Sequence, residues 1–206
     1  AYVADVEEEK VTLMVAPTND LVRELNLKAT DYYRDKGTVT GDGILLADGL
    51  EGSLGDVVVT RKNNSKYVVK DDQGKRTGRV NNGDLWTIVE VGVDGSLRLE
   101  NNVSGGRVVV AADYVADNVQ LGYAATVHRS QGMTVGACHV LTDSGMDRQG
   151  FYVAMTRGKQ KNIAYAASDE LPDWDFEHRP DEHPGALGVI SGIIARDGSQ
   201  RTAHQM

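Results

Sequence analysis

A stretch of short β-type segments interrupts a chain whose two flanks are patterned as alternating strands and helices. Between residues 41 and 102, β-branched runs alternate with turn-forming clusters of Asn, Gly and Asp, such as residues 81–84. Short strands joined by tight turns predict a small antiparallel barrel. Residues 11–16 form an apolar strand pattern that leads into a helical one, and the same texture returns after residue 121. The sequence therefore predicts an α/β fold with a parallel sheet and an inserted β module.

These patterns define the predicted domains. Residues 1–40 and 111–170 form the α/β domain, residues 41–110 form the insert, and residues 171–206 form an acidic linker with a C-terminal extension. No apolar run approaches the roughly 20 residues that cross a bilayer, so no membrane partner is expected. The single cysteine cannot form an internal disulfide, which fits the cytoplasm.

Charge is unevenly distributed along the chain. The 30 acidic and 22 basic side chains give a net charge of -8, which by itself argues against a general nucleic-acid-binding protein. The acidic excess lies at the two ends, whereas residues 61–79 carry seven basic and two acidic side chains. Such a basic run is consistent with a solvated edge strand that blocks aggregation, or with a surface that contacts phosphates.

Residues 126–132, with the sequence Thr-Val-His-Arg-Ser-Gln-Gly, form the densest polar cluster of the chain. Hydroxyls, an imidazole, a guanidinium and an amide are too many polar groups to satisfy inside a core, so a surface position is favoured. At the start of a helix, these groups would form a phosphate or anion site. A plain polar cap is the alternative.

A second polar cluster ends the helix predicted over residues 149–156. Arg157 follows a threonine there. The guanidinium is always charged, and its rigid fork matches a phosphate in a bidentate manner. Compensation of the helix dipole would place an arginine at the same position. The pattern alone leaves both interpretations open.

Together the two clusters resemble motifs V and VI of superfamily 1 DNA helicases of the RecD-like branch. Residues 123–132 match motif V and residues 152–157 match motif VI, most closely in conjugative relaxases of the MobF or TrwC kind. The likeness spans nearly the whole chain. It implies a second RecA-like motor domain, a parallel sheet with helices on both faces, interrupted by a small antiparallel SH3-like β-barrel. Weaker matches lie at residues 15–19, 25–26, 55–58, 82–84 and 187–202.

The resemblance implies a role for each matching residue. Arg157 would be the arginine finger that reaches the γ-phosphate of ATP bound on the preceding RecA-like domain. Gln131 and Gly132 would lie beside the same nucleotide. The residues expected to contact single-stranded DNA, without sequence preference, are Thr18, Asn19, Thr126, His128, Arg129 and Ser130 in the motor domain, and Lys66, Lys75, Arg76 and Arg79 in the barrel.

Motifs that bind ATP directly are absent from the sequence. It contains no G-x-x-x-x-G-K-[ST] phosphate loop, and no apolar strand that ends in paired carboxylates. ATP and Mg²⁺ are therefore expected on a missing first motor domain, with no cofactor or metal in this fragment and no ATP hydrolysis by it alone. Cys138 and His139 lie in an apolar run and are expected to be buried and structural.

The function implied is that of a C-terminal motor-domain fragment of an ATP-dependent DNA helicase, in a conjugative relaxase acting in the cytoplasm. This fragment would supply the arginine finger and part of the track for single-stranded DNA. The alternative is a catalytically inactive, helicase-like module that binds DNA or another protein.

Overall fold

A computed structural model describes residues 1–143, 145–166 and 185–196 of the chain. It divides the chain into two compact units, Ala1–Asn19 with Thr126–Met206 as the first and Asp20–Ala125 as the second. Most of the predicted linker lies outside the described residues. Among the described helices, none has the length and apolarity needed to span a membrane.

Helices and strands alternate in the first unit, whereas the second is mainly built of strands. In chain order the elements are α1 (Tyr2–Glu7), β1 (Thr12–Ala16), α2 (Asn19–Asp35), β2 (Thr40–Leu45), β3 (Glu51–Leu54), β4 (Val57–Thr60), β5 (Asn64–Lys70), β6 (Arg76–Val80), β7 (Leu85–Val91), β8 (Leu97–Asn101), β9 (Arg107–Val110), α3 (Ala112–Asn118), β10 (Val119–Leu121), β11 (Ala124–Thr126), β12 (Val135–Thr142), α4 (Arg148–Met155), β13 (Gly158–Ala166) and α5 (Ala186–Ala195).

The first unit contains the predicted parallel sheet. Strand β12 lies between β1 and β13 and is parallel to both, with Cys138 opposite Leu13 on one side and Asn162 on the other. Buried central strands of this kind have nearly continuous apolar sequences, which is why the sequence predicts β1 and β12. The parallel sheet confirms the predicted α/β class.

Helices cover both faces of this sheet. The Cys138 thiol lies 3.6 Å from the carbonyl oxygen of Ala154 in α4. The next residue, His139, lies 2.9 Å from Asp5 in α1. Consecutive strand residues point to opposite faces, so α1 and α4 lie on opposite sides of β12. Helix α5 packs against α4 and β13 and buries Ile193.

The second unit contains an antiparallel sheet of seven strands in the order β10-β4-β7-β8-β9-β5-β6, and the separate β2-β3 pair. Trp86 in β7 is fully buried, and its indole nitrogen donates a 3.1 Å hydrogen bond to the hydroxyl of Thr60. Trp86 therefore belongs to the core of this unit. The antiparallel insert confirms the predicted fold class, while its SH3-like character stays a prediction.

A buried carboxylate joins helix α2 to the strands of this unit. Asp56 has no exposed surface and accepts hydrogen bonds from the Ser53 amide, the Thr30 hydroxyl and the Tyr123 hydroxyl, at 2.8, 3.0 and 2.8 Å. Burial raises the pKa of Asp56, and these three donors oppose that rise. The predicted insert, residues 41–110, lies within this unit, and its boundaries stay a prediction.

Candidate functional site

Residues 127–132, the core of the motif V match, form hydrogen-bonded turns. The Ser130 amide donates to the Thr126 carbonyl at 2.9 Å, and the Met133 amide donates to the Ser130 carbonyl at 3.0 Å. Gly132 has a φ of +83°, a value that favours glycine and ends the local helical turn. The segment therefore does not begin a helix, the condition under which the sequence pattern would form an anion site, and its amides are partly used within the turns.

The polar side chains of these turns differ in exposure. His128, Arg129 and Gln131 are exposed, and Thr126 is half-buried with its hydroxyl oxygen accepting from the Arg129 amide at 3.3 Å. Ser130 is fully buried, and its hydroxyl donates to the Val127 carbonyl at 2.7 Å. Ser130 therefore stabilises the turns instead of presenting its hydroxyl to DNA, which corrects the role expected from the sequence.

Arg157 lies between α4 and β13 and contacts the residues on either side of Gln131 and Gly132. Its Nη1 atom donates to the carbonyl oxygens of Ser130 and Met133, at 3.5 and 3.3 Å, and its Nε atom donates to Val153 at 2.8 Å. Ser130 and Met133 flank Gln131 and Gly132 in the chain. The structure therefore brings together the three residues that the sequence predicts at a nucleotide site.

The charge of Arg157 has no carboxylate partner among the described residues. Besides the three carbonyls, the Thr156 hydroxyl, at 3.0 Å, is the only acceptor of its guanidinium among the described residues. Its side chain is half-buried. Carbonyl oxygens orient a guanidinium without neutralising it, so Arg157 remains able to bind an anion. Cys138 lies nearby but is fully buried, and burial raises the pKa of its thiol to about 12, which fits the structural role expected for it.

A cleft of about 420 Å³ lies at the carboxyl ends of β1 and β12. Thr18 follows β1 and lines one side, while His128 and Gln131 of the motif V turns line another. Ligands of open α/β sheets bind at this edge. The structure thus brings Thr18, His128 and Gln131 together, and Asn19, next to Thr18, is exposed.

Two aspartates that the sequence analysis does not single out form the third side of this cleft, at the beginning of α4. Asp147 caps the helix by accepting a 2.6 Å hydrogen bond from the Gly150 amide. Asp143 accepts from the amides of Gly145 and Met146, at 2.9 and 3.0 Å. The aspartate before the helical pattern of α4 is a recognisable capping signal, whereas the role of Asp143 depends on the fold.

The basic run of the second unit forms the β5–β6 hairpin. Its candidate DNA contacts are Lys66, Lys75, Arg76 and Arg79. All four are exposed, and within the described part of the chain none forms an ion pair. Arg76 lies directly opposite Lys70 in the strand register. Like charges opposite each other destabilise a hairpin, so a negative ligand would relieve this repulsion.

A second polar cluster, centred on Asp5, is buried beneath α1. The Asp5 carboxylate accepts from Lys10 and Lys161, both at 3.0 Å, and lies 2.9 Å from Nε2 of His139. Hydrogen bonds from the two lysines hold the pKa of Asp5 well below its usual range. Because Asp5 is ionised, Nε2 carries the proton and Nδ1 accepts from the Tyr165 hydroxyl at 2.7 Å. No group of His, Cys, Asp and Glu suited to a metal occurs among the described residues.

Comparison with known proteins finds relatives in conjugation systems, although no family model matches the chain. The conjugal transfer protein TraA of Agrobacterium fabrum is 33% identical over 159 residues, which cover 76% of this chain and 13% of TraA. TraA of Rhizobium radiobacter is 31% identical over 159 residues, with the same coverage. The uncharacterized protein Rv2311 of Mycobacterium tuberculosis is 31% identical over 119 residues, 53% of this chain and 68% of Rv2311.

Solved structures with a similar fold include Pif1 helicases. The Bacteroides Pif1 helicase in complex with ADP-AlF3 and ssDNA superimposes with a TM-score of 0.50 and 13% identity, over 74% of this chain and 40% of Pif1. Pif1 from Candida albicans gives a TM-score of 0.50 with 16% identity, over 75% of this chain and 44% of that one. At this level of identity, the likeness establishes the fold.

Proposed function

We propose that this chain, which belongs to the same family as Rv2311, is similar to the TraA conjugal transfer proteins and shares the fold of the Pif1 helicases, is part of an ATP-dependent DNA helicase. It spans only 13% of the length of the TraA proteins, so the motor activity would belong to a longer polypeptide. Its role there is that of the second motor domain of a conjugative relaxase-helicase in the cytoplasm.

The arrangement of Arg157 is the observation that carries this proposal. Its guanidinium is oriented by three carbonyls, has no carboxylate partner among the described residues, and contacts the ends of the Gln131–Gly132 turn. An arginine finger needs this combination, because it must keep its charge and its direction until a γ-phosphate is near. Gln131 and Gly132 would then couple the state of the bound nucleotide to the adjoining cleft.

ATP and Mg²⁺ would be held by the preceding RecA-like domain, because this sequence has no phosphate loop. Arg157 is half-buried and uncompensated among the described residues, which fits a group that approaches a phosphate held by another domain. When bound there, the nucleotide supplies the phosphoryl transfer that drives translocation. The residues of this chain would bind and orient, and Arg157 would stabilise the negative charge that develops on the γ-phosphate.

Two surfaces are proposed to contact single-stranded DNA. In the first unit, Thr18, Asn19, Thr126, His128 and Arg129 lie at or beside the cleft edge of the sheet. In the second unit, the four exposed cations of the β5–β6 hairpin would bind phosphates. The Bacteroides Pif1 helicase is known in complex with single-stranded DNA, which supports DNA as the partner here.

The test uses the parent polypeptide that carries this region together with its phosphate-loop domain. Arg157→Ala is expected to lower DNA-stimulated ATP hydrolysis by about a thousandfold, the effect of losing an arginine finger. Nucleotide binding, followed with a fluorescent ATP analogue, should change little. Lys159→Ala removes an exposed cation two residues away and should leave turnover unchanged. Equal turnover of the wild type and Arg157→Ala would contradict the proposal.

A second candidate function is a catalytically inactive helicase-like module that binds DNA or a protein. The observation that favours it is the match to Rv2311, because 119 aligned residues make up 68% of that relative. A protein of that length has little room for a complete first motor domain. ATP turnover of the parent polypeptide distinguishes the two candidates. An inactive module would not hydrolyse ATP, whichever DNA is added.

A further inference from the structure

Among the described residues, the charged side chains that line the cleft beside β1 and β12 are all negative. Asp143 and Asp147 belong to its lining, which includes no described lysine or arginine. Both aspartates are half-buried, so water screens them incompletely. A phosphate in this cleft would face two carboxylates without a counter-charge. The backbone of DNA is therefore a poor occupant.

The amides at the beginning of α4 do not offset this repulsion. One oxygen of Asp147 accepts from the Gly150 amide, and one oxygen of Asp143 accepts from the amides of Gly145 and Met146. These amides would otherwise be available to an anion. The second oxygen of each aspartate has no donor among the described residues. The cleft thus offers acceptors where an anion would require donors.

The other lining groups suit a ligand with apolar surface and a few polar groups. Carbon surface comes from Pro17, Val127, Met146 and Val153, and side-chain amides come from Gln131 and Gln149. The volume of about 420 Å³ falls within the range of small-ligand sites, about 300–1,000 Å³. An occupant should therefore combine apolar surface with N–H donors for the two aspartates.

We propose that this cleft binds an unstacked nucleobase of single-stranded DNA, with the exocyclic amino group of the base donating to Asp143 or Asp147. Adenine, cytosine and guanine carry such a group, whereas the one Watson–Crick donor of thymine and uracil, the N3 hydrogen, lies between two carbonyl oxygens that the carboxylates would repel. This inference rests on the proposed function, and it adds a base preference to a track otherwise expected to be neutral to sequence. Phosphates would follow the rim, beside His128 and Arg129.

The test compares oligomers of deoxycytidine and deoxyuridine of equal length, bound to the wild-type chain at low salt and pH 8 and followed by fluorescence anisotropy. The two bases differ at C4, where cytosine has an amino group and uracil has a carbonyl oxygen, and at the N3 hydrogen. We expect the deoxycytidine oligomer to bind about tenfold more tightly, the effect of one hydrogen bond to a charged acceptor. The salt dependence should be the same for both, because it reflects phosphate contacts.

The matched variant is Asp143→Asn combined with Asp147→Asn. Asparagine retains an oxygen for the amides and is a good helix cap, so α4 should keep its stability in thermal melts followed by circular dichroism. The cytidine-to-uridine affinity ratio should fall close to one, and neither oligomer should bind more weakly than deoxyuridine binds to the wild type. Asp42→Asn, which removes an exposed charge in the other unit, should leave the ratio unchanged.

Each other outcome has a distinct meaning. Equal binding of the two oligomers to the wild type would overturn this inference and leave the proposed function standing. A preference that survives the double variant would place base selection elsewhere and would also overturn it. If neither oligomer binds at any salt concentration, both the inference and the DNA-binding part of the proposed function fail. Tighter binding of an oligoarginine peptide, abolished in the double variant, would assign the cleft to a basic protein segment instead.

Discussion

The hydroxyl of Tyr123 donates a 2.8 Å hydrogen bond to the carboxylate of Asp56, and both residues are buried. Tyr123 also stacks on Tyr33 of α2, with ring centroids 5.7 Å apart. Tyr123 is the first residue of the motif V match. The segment that leads into the candidate site is therefore fixed by a buried contact within the second unit.

Tyr123→Phe is expected to destabilise the chain by about 1–2 kcal/mol, because it removes one donor from a buried carboxylate and keeps the ring. The measurement is the free energy of unfolding in urea. Tyr152→Phe is the matched control, since Tyr152 is 70% exposed, and it should change stability by no more than about 0.5 kcal/mol. Equal free energies of unfolding of the two variants would show that the hydrogen bond from Tyr123 to Asp56 does not stabilise the chain.

Gly55→Ala is expected to destabilise the second unit by about 3 kcal/mol or more. Gly55 has a φ of +92°, and an added Cβ would lie 2.1 Å from the Thr38 carbonyl oxygen, a rigid backbone atom. Gly74→Ala is the control, because Gly74 has a φ of +78° but an added Cβ meets nothing within 4 Å. Its cost should be about 1–2 kcal/mol. The free energies of unfolding of both variants, measured by chemical denaturation, separate the cost of the steric clash from the cost of the backbone strain.

Neutralising Lys66, Lys75, Arg76 and Arg79 together is expected to weaken binding of single-stranded DNA and to flatten its dependence on salt. The slope of log K against log salt should become shallower by about 0.7 for each phosphate that the variant can no longer neutralise. Arg107→Gln is the control, because Arg107 already pairs with Glu100 and Asp72. If the fourfold variant binds single-stranded DNA with unchanged affinity, the hairpin is a solvated edge and not a DNA contact.

His139 is expected to make the chain less stable in mild acid. Burial lowers the pKa of His139 below 6.5, so the folded state resists protonation that the unfolded state accepts. The contribution of His139 to the free energy of unfolding is therefore fully present above pH 6.5 and falls as the pH drops below that value. The melting temperature should fall by a few degrees between pH 7 and pH 5. His139→Gln should reduce this dependence, whereas His128→Gln, at an exposed site, should keep it.

The chain alone is expected not to hydrolyse ATP, with or without DNA, because no phosphate loop is present to hold the nucleotide. The measurement is phosphate release at high protein concentration with saturating single-stranded DNA. Arg157→Ala serves as the control for contaminating activity, since a contaminant would be unaffected by it. DNA-stimulated turnover that is abolished by Arg157→Ala would contradict the expectation.

Local sequence patterns predict the apolar strands and miss elements with weak patterns. Strand β1 is predicted within one residue of its start, and α4 within one residue at each end. Strand β6 has the polar sequence Arg-Thr-Gly-Arg-Val and is not predicted. It is stabilised by its pairing with β5, and its own β propensity is low. Helices α1 and α3 are too short for a periodicity to be recognised.

The site shows the same division between local and distant signals. Residues 128, 131 and 157 are identified by motifs that are local in the chain. The turns at residues 127–132 have the sequence pattern of a helix start, but the bond from the Ser130 hydroxyl to Val127 competes with helical pairing. The contact of Arg157 with Met133 joins residues 24 positions apart, and the cleft with its two aspartates depends on the assembled sheet. Neither can be derived from spacing.

The three donors of Asp56 have a consequence for the order in which this protein is made. A ribosome releases Thr30 and Ser53 before Asp56, but Tyr123 follows 67 residues later. Until then, a carboxylate destined for complete burial lacks one of its three donors, which disfavours the closed form of the second unit. Synthesis of the motif V segment, which begins at Tyr123, is therefore also the step that allows the preceding hundred or so residues to complete their fold.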